Sequence, residues 1–184
     1  MTDFDFTLTR AFYLLDHHHS RNDVNHTRPI KADSSFKALN ESEYIPNLAR
    51  EINRNLYDKF RPIEKDSAIS HKEKFAHMQN WWTGNMEAFI ISKMKKQDYA
   101  QVVLTSKLLL RHGINDLLHL ASDMRIPISI VSGGIKEIIQ ATFYAIFFNG
   151  EVPHDEIHSY FIDEKHIRVI ANTFEYDNDI AVDY

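Results

Sequence analysis

Thr2-Asp3-Phe4-Asp5-Phe6-Thr7-Leu8-Thr9 decides how the rest of this chain is read. Two aspartates are separated by a single residue, a threonine follows at the same spacing, and aromatic and apolar residues frame all three. In an extended segment residues i and i+2 point to the same side, so the carboxylates of Asp3 and Asp5 can face one phosphoryl group. A carboxylate that attacks a phosphate ester forms an aspartyl-phosphate and divides one difficult displacement into two easier ones. On this reading Asp3 attacks. Asp5 protonates the leaving alkoxide and then takes a proton from the hydrolytic water, general acid–base work that contributes roughly 10²–10⁴-fold. Two carboxylates and a phosphate repel one another unless a hard cation lies among them. Mg²⁺, which binds through one or two carboxylates plus substrate phosphate, suits such a site, so Asp3 and Asp5 are also the candidate metal ligands. The same pattern alone fits a surface turn with two solvated acids.

The 184 residues suit one domain, or one domain with an insertion. Hydrophobic residues make up 43% and aromatics 12%, enough for a real core. A net charge of −5 with no basic stripe argues against binding a nucleic-acid polymer. The absence of cysteine excludes a disulfide framework and a thiolate metal site. The chain opens on acid with no apolar leader, and no apolar stretch is long enough to span a bilayer. A cytoplasmic protein without a membrane partner is expected; the oligomeric state is not written in the sequence.

From about Asp16 to Asp33 the chain is polar and reads as a loop, with His17-His18-His19 as a solvated run rather than a metal site. Tyr44, Ile45, Leu48, Ile52, Leu56, Tyr57 and Phe60 recur at three- and four-residue steps, which predicts an amphipathic helix over 41–60. Ser70 and Glu73 form a capping-box pattern ahead of Phe75, Met78, Trp81 and Trp82, predicting a helix to about Met94. Further helices are predicted over 98–111, stopped by Gly113, and over 114–124. The β-branched run Arg125 to Val131 predicts a buried strand, and Ile135 to Phe148 returns to helix. His166 to Ala171 predicts a second strand, and Asp177-Asn178-Asp179 a hairpin turn. That acidic triplet lacks the glycine and distal glutamate of a calcium loop.

Between that strand and helix lies Ser132-Gly133-Gly134. A hydroxyl, free N–H groups at a helix start and glycines that admit close approach make a phosphate-binding geometry. Ligands of open α/β sheets sit beyond the carboxyl ends of the strands, so Ser132 and Asp3 can share a pocket. The alternative is a plain strand-to-helix turn. The stretch from Asp3 to Ser132 far exceeds the about 30 residues of a βαβ unit, and helices fill it. This predicts a helical cap inserted over the site, excluding water and reading the leaving group.

With these motifs in place the chain resembles the haloacid-dehalogenase superfamily, and within it the cytosolic pyrimidine 5′-nucleotidase family (the cytosolic 5′-nucleotidase III group). Four stretches carry the likeness: residues 2–9; Ile63-Glu64-Lys65-Asp66 with Glu73-Lys74-Phe75; Met78 to Trp82 followed by Leu110 to Leu118; and Ile126 to Ile135. The resemblance implies an α/β, Rossmann-like core with an inserted helical cap: residues 1–15 as nucleophile loop, 16–109 as cap, 110–184 as core segment with the phosphate loop. It implies a phosphoric monoester hydrolase that cleaves nucleoside 5′-monophosphates with Mg²⁺. Asp3 is then nucleophile and Asp5 acid/base, both holding Mg²⁺, Asp5 through its main-chain carbonyl. Ser132 and Gly133 hold the phosphate. Glu64 contacts the base, as suits an acceptor facing the exocyclic amine of cytosine. Asn85 falls where the family has a serine, which leaves the preferred base open. Trp81 and Trp82 line the nucleoside pocket or, for one of them, the cap interior.

The family pattern also includes an apolar strand before the nucleophile loop, a lysine past the second strand (here, after Lys165) that neutralises the phosphoryl charge, and a Gly-Asp-Ser-x-x-Asp segment. The sequence contains none of these. Phosphoryl transfer depends mostly on positioning and charge stabilisation. An incomplete core and impaired turnover are therefore expected, with a non-catalytic nucleotide- or partner-binding module as the alternative.

Overall fold

A computed structural model of the chain describes residues 4–10, 12–13, 30–147 and 167–184. Asp3, the histidine run and most of the polar segment 16–33 lie outside the described residues, as does His166.

A short antiparallel pair comes first, β1 (Phe12–Tyr13) with β2 (Ile30–Lys31). Helix α1 (Ser35–Asn40), which the periodicity did not announce, follows at once. Helix α2 (Asn47–Lys65) begins later than the predicted 41, because Pro46 holds extended backbone at its N-cap and disfavours helix in the residue before it. It also runs through Pro62, against the predicted end at 60, and closes with the Asp66 N–H on the carbonyls of Pro62 and Ile63.

Helix α3 (His71–Ile90) carries the predicted capping box: the Ser70 hydroxyl accepts from the Glu73 N–H, and the Glu73 carboxylate accepts from the Ser70 N–H. Helix α4 (Asp98–Thr105) ends well short of Arg111. The reason is tertiary. Asp33 accepts from the Lys107 N–H at 2.7 Å and returns its own N–H to the Lys107 carbonyl, drawing the chain out of the helix. Gly113, at φ +82°, therefore does not stop α4; its carbonyl accepts from Leu117 in the first turn of α5 (Ile114–Asp123).

Strand β3 (Ile128–Ile135) pairs in parallel with β4 (Ile167–Asn172), and α6 (Lys136–Phe147) connects to β3 directly. The strand begins three residues later than predicted, since Arg125 at φ +54° turns the chain and Ile126 still closes α5 through its N–H. The chain ends in the predicted hairpin, β5 (Glu175–Asp177) and β6 (Ile180–Asp183), with Asn178 and Asp179 both left-handed as a type I′ turn requires.

Ile130, Ile135, Ile138, Ile139 and Phe143 form the centre of the core and are fully buried. Phe4 joins them from the chain start, meeting Phe143 edge to face at 5.7 Å. Helices α1 and α4 pack on α6, while α2 and α3 pack on each other. Trp81 stacks on Phe60 between those last two helices.

One buried charge in this core makes a testable pH dependence. Glu137, in the first turn of α6, accepts from the Thr173 hydroxyl at 2.6 Å and the Phe174 N–H at 3.0 Å, while its other oxygen has no hydrogen-bond partner. Burial pushes its carboxyl above the ordinary glutamate value, against those hydrogen bonds. A raised folded value means that the folded state binds the proton more tightly, so stability is full below the unfolded value and falls as pH rises toward the folded one. Glu137→Gln keeps the acceptor and removes the titration. Its Tm should match wild type below the ordinary value of 4.5 and exceed it near neutrality. A pH-dependent loss of Tm that persists in the variant places the titrating group elsewhere.

Candidate functional site

Asp5 sits in a tight turn whose geometry the neighbouring sequence sets. The N–H groups of Thr7, Leu8 and Thr9 converge on the Phe4 carbonyl, Phe6 is left-handed at φ 61°, and the buried Thr9 hydroxyl accepts from the Phe6 N–H at 2.8 Å. The outgoing residues are clamped by Arg10 N–H on the Leu109 carbonyl and Arg111 N–H on the Leu8 carbonyl. Thr9 fixes this loop; Thr7 is exposed.

The loop delivers the Asp5 carboxylate to Ser35. Asp5 Oδ1 accepts from the Ser35 N–H at 2.8 Å, and Oδ2 from the Ser35 hydroxyl at 2.6 Å. The same hydroxyl accepts from the Ile135 N–H at 3.3 Å. Ser132 Oγ accepts from the Gly134 N–H at 3.1 Å. A Cβ placed on Gly134 would lie 2.3 Å from Ser35 Oγ, 3.0 Å from Asp5 Oδ2 and 3.2 Å from Ser132 Oγ. Three side-chain oxygens from distant segments thus crowd one glycine.

Ser132-Gly133-Gly134 is extended and belongs to β3, so the strand runs past its predicted end at Val131, and neither a separate loop nor the alternative plain turn lies between it and α6. The ladder is irregular there: Val131 pairs with Ile170, and the next pair is Ile135 with Asn172. Asn172 replaces the lost ladder bonds, donating its side-chain amide to the carbonyls of Gly133 (2.9 Å) and Gly134 (3.2 Å). An extended chain can therefore present the hydroxyl and glycine backbone without a turn.

Beside this cluster lies a cavity of about 520 Å³ lined by Phe36, Tyr57, Glu64, Met78, Trp81, Trp82, Asn85, Gly133 and Asn172. That volume is within the range of small-molecule sites. Three residues singled out from sequence, Glu64, Asn85 and Gly133, share its wall, as do both tryptophans. Asn85 is 4% exposed and its Oδ1 has no hydrogen-bond partner. A buried acceptor left in that state costs about 1–3 kcal/mol, which a ligand donor would recover. Glu64 is exposed and pairs with Arg61. Ser35 and Asn172 were not among the expected residues. Their partners lie up to 100 positions away, beyond any local pattern.

Among the described residues no group of three or more His, Cys, Asp or Glu could hold a metal. The groups that do converge on Gly134 are hard oxygens, the donor type Mg²⁺ takes while keeping several waters. Asp5 is the described carboxylate among them.

The mixed α/β arrangement is of the haloacid-dehalogenase-like fold, as its likeness to a solved structure shows. The structure is similar to the crystal structure of cytosolic 5′-nucleotidase IIIB bound to cytidine, with a TM-score of 0.66 and 20% identity over 99% of this chain and 51% of that one. The family profile of pyrimidine 5′-nucleotidases (UMPH-1) matches residues 20–183, and the chain belongs to that family. It is 29% identical over 179 residues to the human 7-methylguanosine phosphate-specific 5′-nucleotidase, covering 97% of this chain and 50% of the relative. The Xenopus laevis 7-methylguanosine phosphate-specific 5′-nucleotidase A is 28% identical over 140 residues, 76% of this chain and 43% of the relative. The chain thus spans about half the length of these curated relatives.

Proposed function

We propose that this chain binds nucleoside 5′-monophosphates and hydrolyses them as a 5′-nucleotidase-like phosphohydrolase. The observation that carries this reading is the crowding of Asp5, Ser35 and Ser132 oxygens around Gly134, beside a cavity that holds Glu64, Asn85 and Gly133 in one wall. In this proposal Asp3 is the nucleophile and Asp5 the general acid and base. Ser132 and the Gly133 backbone bind the phosphate. Glu64 and Asn85 hydrogen-bond the base, and Trp81 and Trp82 flank it. Mg²⁺ would be held by Asp3 and the Asp5 main-chain carbonyl, where it supplies the charge neutralisation that two carboxylates and a phosphate need. The cap is the helical stretch within 16–109, with α2 and α3 forming the base-side wall. The setting in this proposal is cytoplasmic, in keeping with a Caenorhabditis elegans relative named as a putative cytosolic 5′-nucleotidase.

The solved neighbour holds cytidine and the animal relatives are named for 7-methylguanosine phosphate, so CMP, UMP and 7-methyl-GMP are the substrates to compare. Phosphate release that requires Mg²⁺ and is lost in Asp3→Asn is the expected result. Release that survives Asp3→Asn would remove the aspartyl-phosphate route. The same assay measures whether turnover by this chain is slow, as the sequence leads one to expect. A second reading is nucleotide binding without turnover. It is favoured by the cavity wall itself, which brings Glu64, Asn85 and Gly133 together among the described residues. On that reading nucleotide affinity persists in Asp3→Asn and neither protein releases phosphate.

A further inference from the structure

We propose that Ser35 is a positioning residue for the reaction: it holds the Asp5 carboxylate in register with the phosphate-binding strand. The inference rests on Asp5 being the acid and base. It goes beyond that reading by naming the group that decides where the carboxylate points.

Asp5 sits on a turn, and its side chain can rotate about two bonds unless something fixes both oxygens. Ser35 supplies two donors from one residue, the N–H to Oδ1 and the hydroxyl to Oδ2. Rotation of the carboxylate plane would break one or both. A carboxylate oxygen offers two lone pairs, so accepting one hydrogen bond from Ser35 does not by itself bar proton exchange with substrate.

The hydroxyl also performs a second task. While donating to Asp5 it accepts from the Ile135 N–H, the residue that follows Gly134 in the phosphate strand. One oxygen atom therefore joins the acid/base loop to the backbone beside Ser132. Ser35 itself is fully buried, and its place at the start of α1 is fixed by Ser34, whose hydroxyl accepts from the Lys37 N–H.

Packing alone would explain a buried serine, so the test must separate volume from hydrogen bonding. Ser35→Ala removes the hydroxyl and is slightly smaller, whereas Ser35→Cys is somewhat larger and offers only a weak donor and acceptor, so the pair brackets the volume while both weaken the hydrogen bonds. Turnover of CMP and UMP should fall about 10²-fold in kcat for both, the loss typical of small misplacements of a reacting group, with KM little changed. Urea unfolding of each variant checks that it is folded, and if the alanine variant is not, the cysteine variant carries the test. Wild-type kcat in Ser35→Cys, in a protein whose turnover depends on Asp5, assigns Ser35 a packing role and overturns this inference alone. Turnover that is absent, or indifferent to Asp5→Asn, overturns the functional reading and this inference with it.

Discussion

Asp5→Asn should lower nucleoside-monophosphate turnover by roughly 10²–10⁴-fold, the usual contribution of a positioned acid and base, while the protein stays folded and still binds nucleotide. The separation of effects follows from the local hydrogen bonds. The asparagine carbonyl can keep the acceptor role that Oδ1 fills toward the Ser35 N–H, and its amide can donate to the Ser35 hydroxyl, which now acts only as acceptor. The loop itself is held from elsewhere, by the Phe4 carbonyl, by Thr9 and by the two clamps to residues 109 and 111. What the variant cannot do is deliver a proton to the leaving alkoxide. Phosphate release should therefore collapse, with the binding isotherm for CMP near wild type and the stability to urea lowered by no more than about 1–3 kcal/mol, the cost of an unpaired buried hydroxyl. Loss of CMP affinity together with turnover would instead show that the carboxylate contributes to binding, and would contradict the acid/base role.

What the sequence made legible was local. The capping box at Ser70 and Glu73 and the hairpin turn at Asn178 and Asp179 are short-range hydrogen-bond and backbone problems, and both appear as expected. Helix α4 was misjudged because its end is set by Asp33, 74 positions from Lys107, and Gly113 offered a nearer but wrong stop. The strand end at Val131 was misplaced for the same reason. Two glycines locally mark the end of a strand, yet Asn172 supplies the missing hydrogen bonds from nearly 40 positions away and the strand stays extended to Ile135. The candidate site divides along the same line. Residue types at motif spacing pointed to Asp5, Ser132 and Gly133, and the family likeness to Glu64 and Asn85. Nothing in the spacing marked Ser35, whose chemistry consists wholly of long-range contacts.

Gly134→Ala is expected to be severely damaging, with the tightest Cβ contact among the described glycines. Gly134 is not reserved for glycine by its backbone, since its φ is not in the left-handed region; it is reserved by space. The new Cβ would stand 2.3 Å from Ser35 Oγ, a separation no carbon and oxygen sustain, with Asp5 Oδ2 and Ser132 Oγ close behind. The oxygens cannot move singly. Ser35 is tied to Asp5 and Ile135, Asp5 to Ser35, and Ser132 to the Gly134 N–H itself. Relief requires the acid/base loop and the phosphate strand to separate, at a cost of about 1–3 kcal/mol typical of overpacking, and on the order of 10²-fold in turnover from misplacement alone. Gly133 gives the internal contrast. A Cβ there meets nothing within 4 Å, so Gly133→Ala should unfold in urea at nearly the wild-type midpoint while Gly134→Ala unfolds well below it. Equal midpoints for the two variants would mean that Asp5, Ser35 and Ser132 do not crowd the strand, and the shared phosphate site would lose its structural basis.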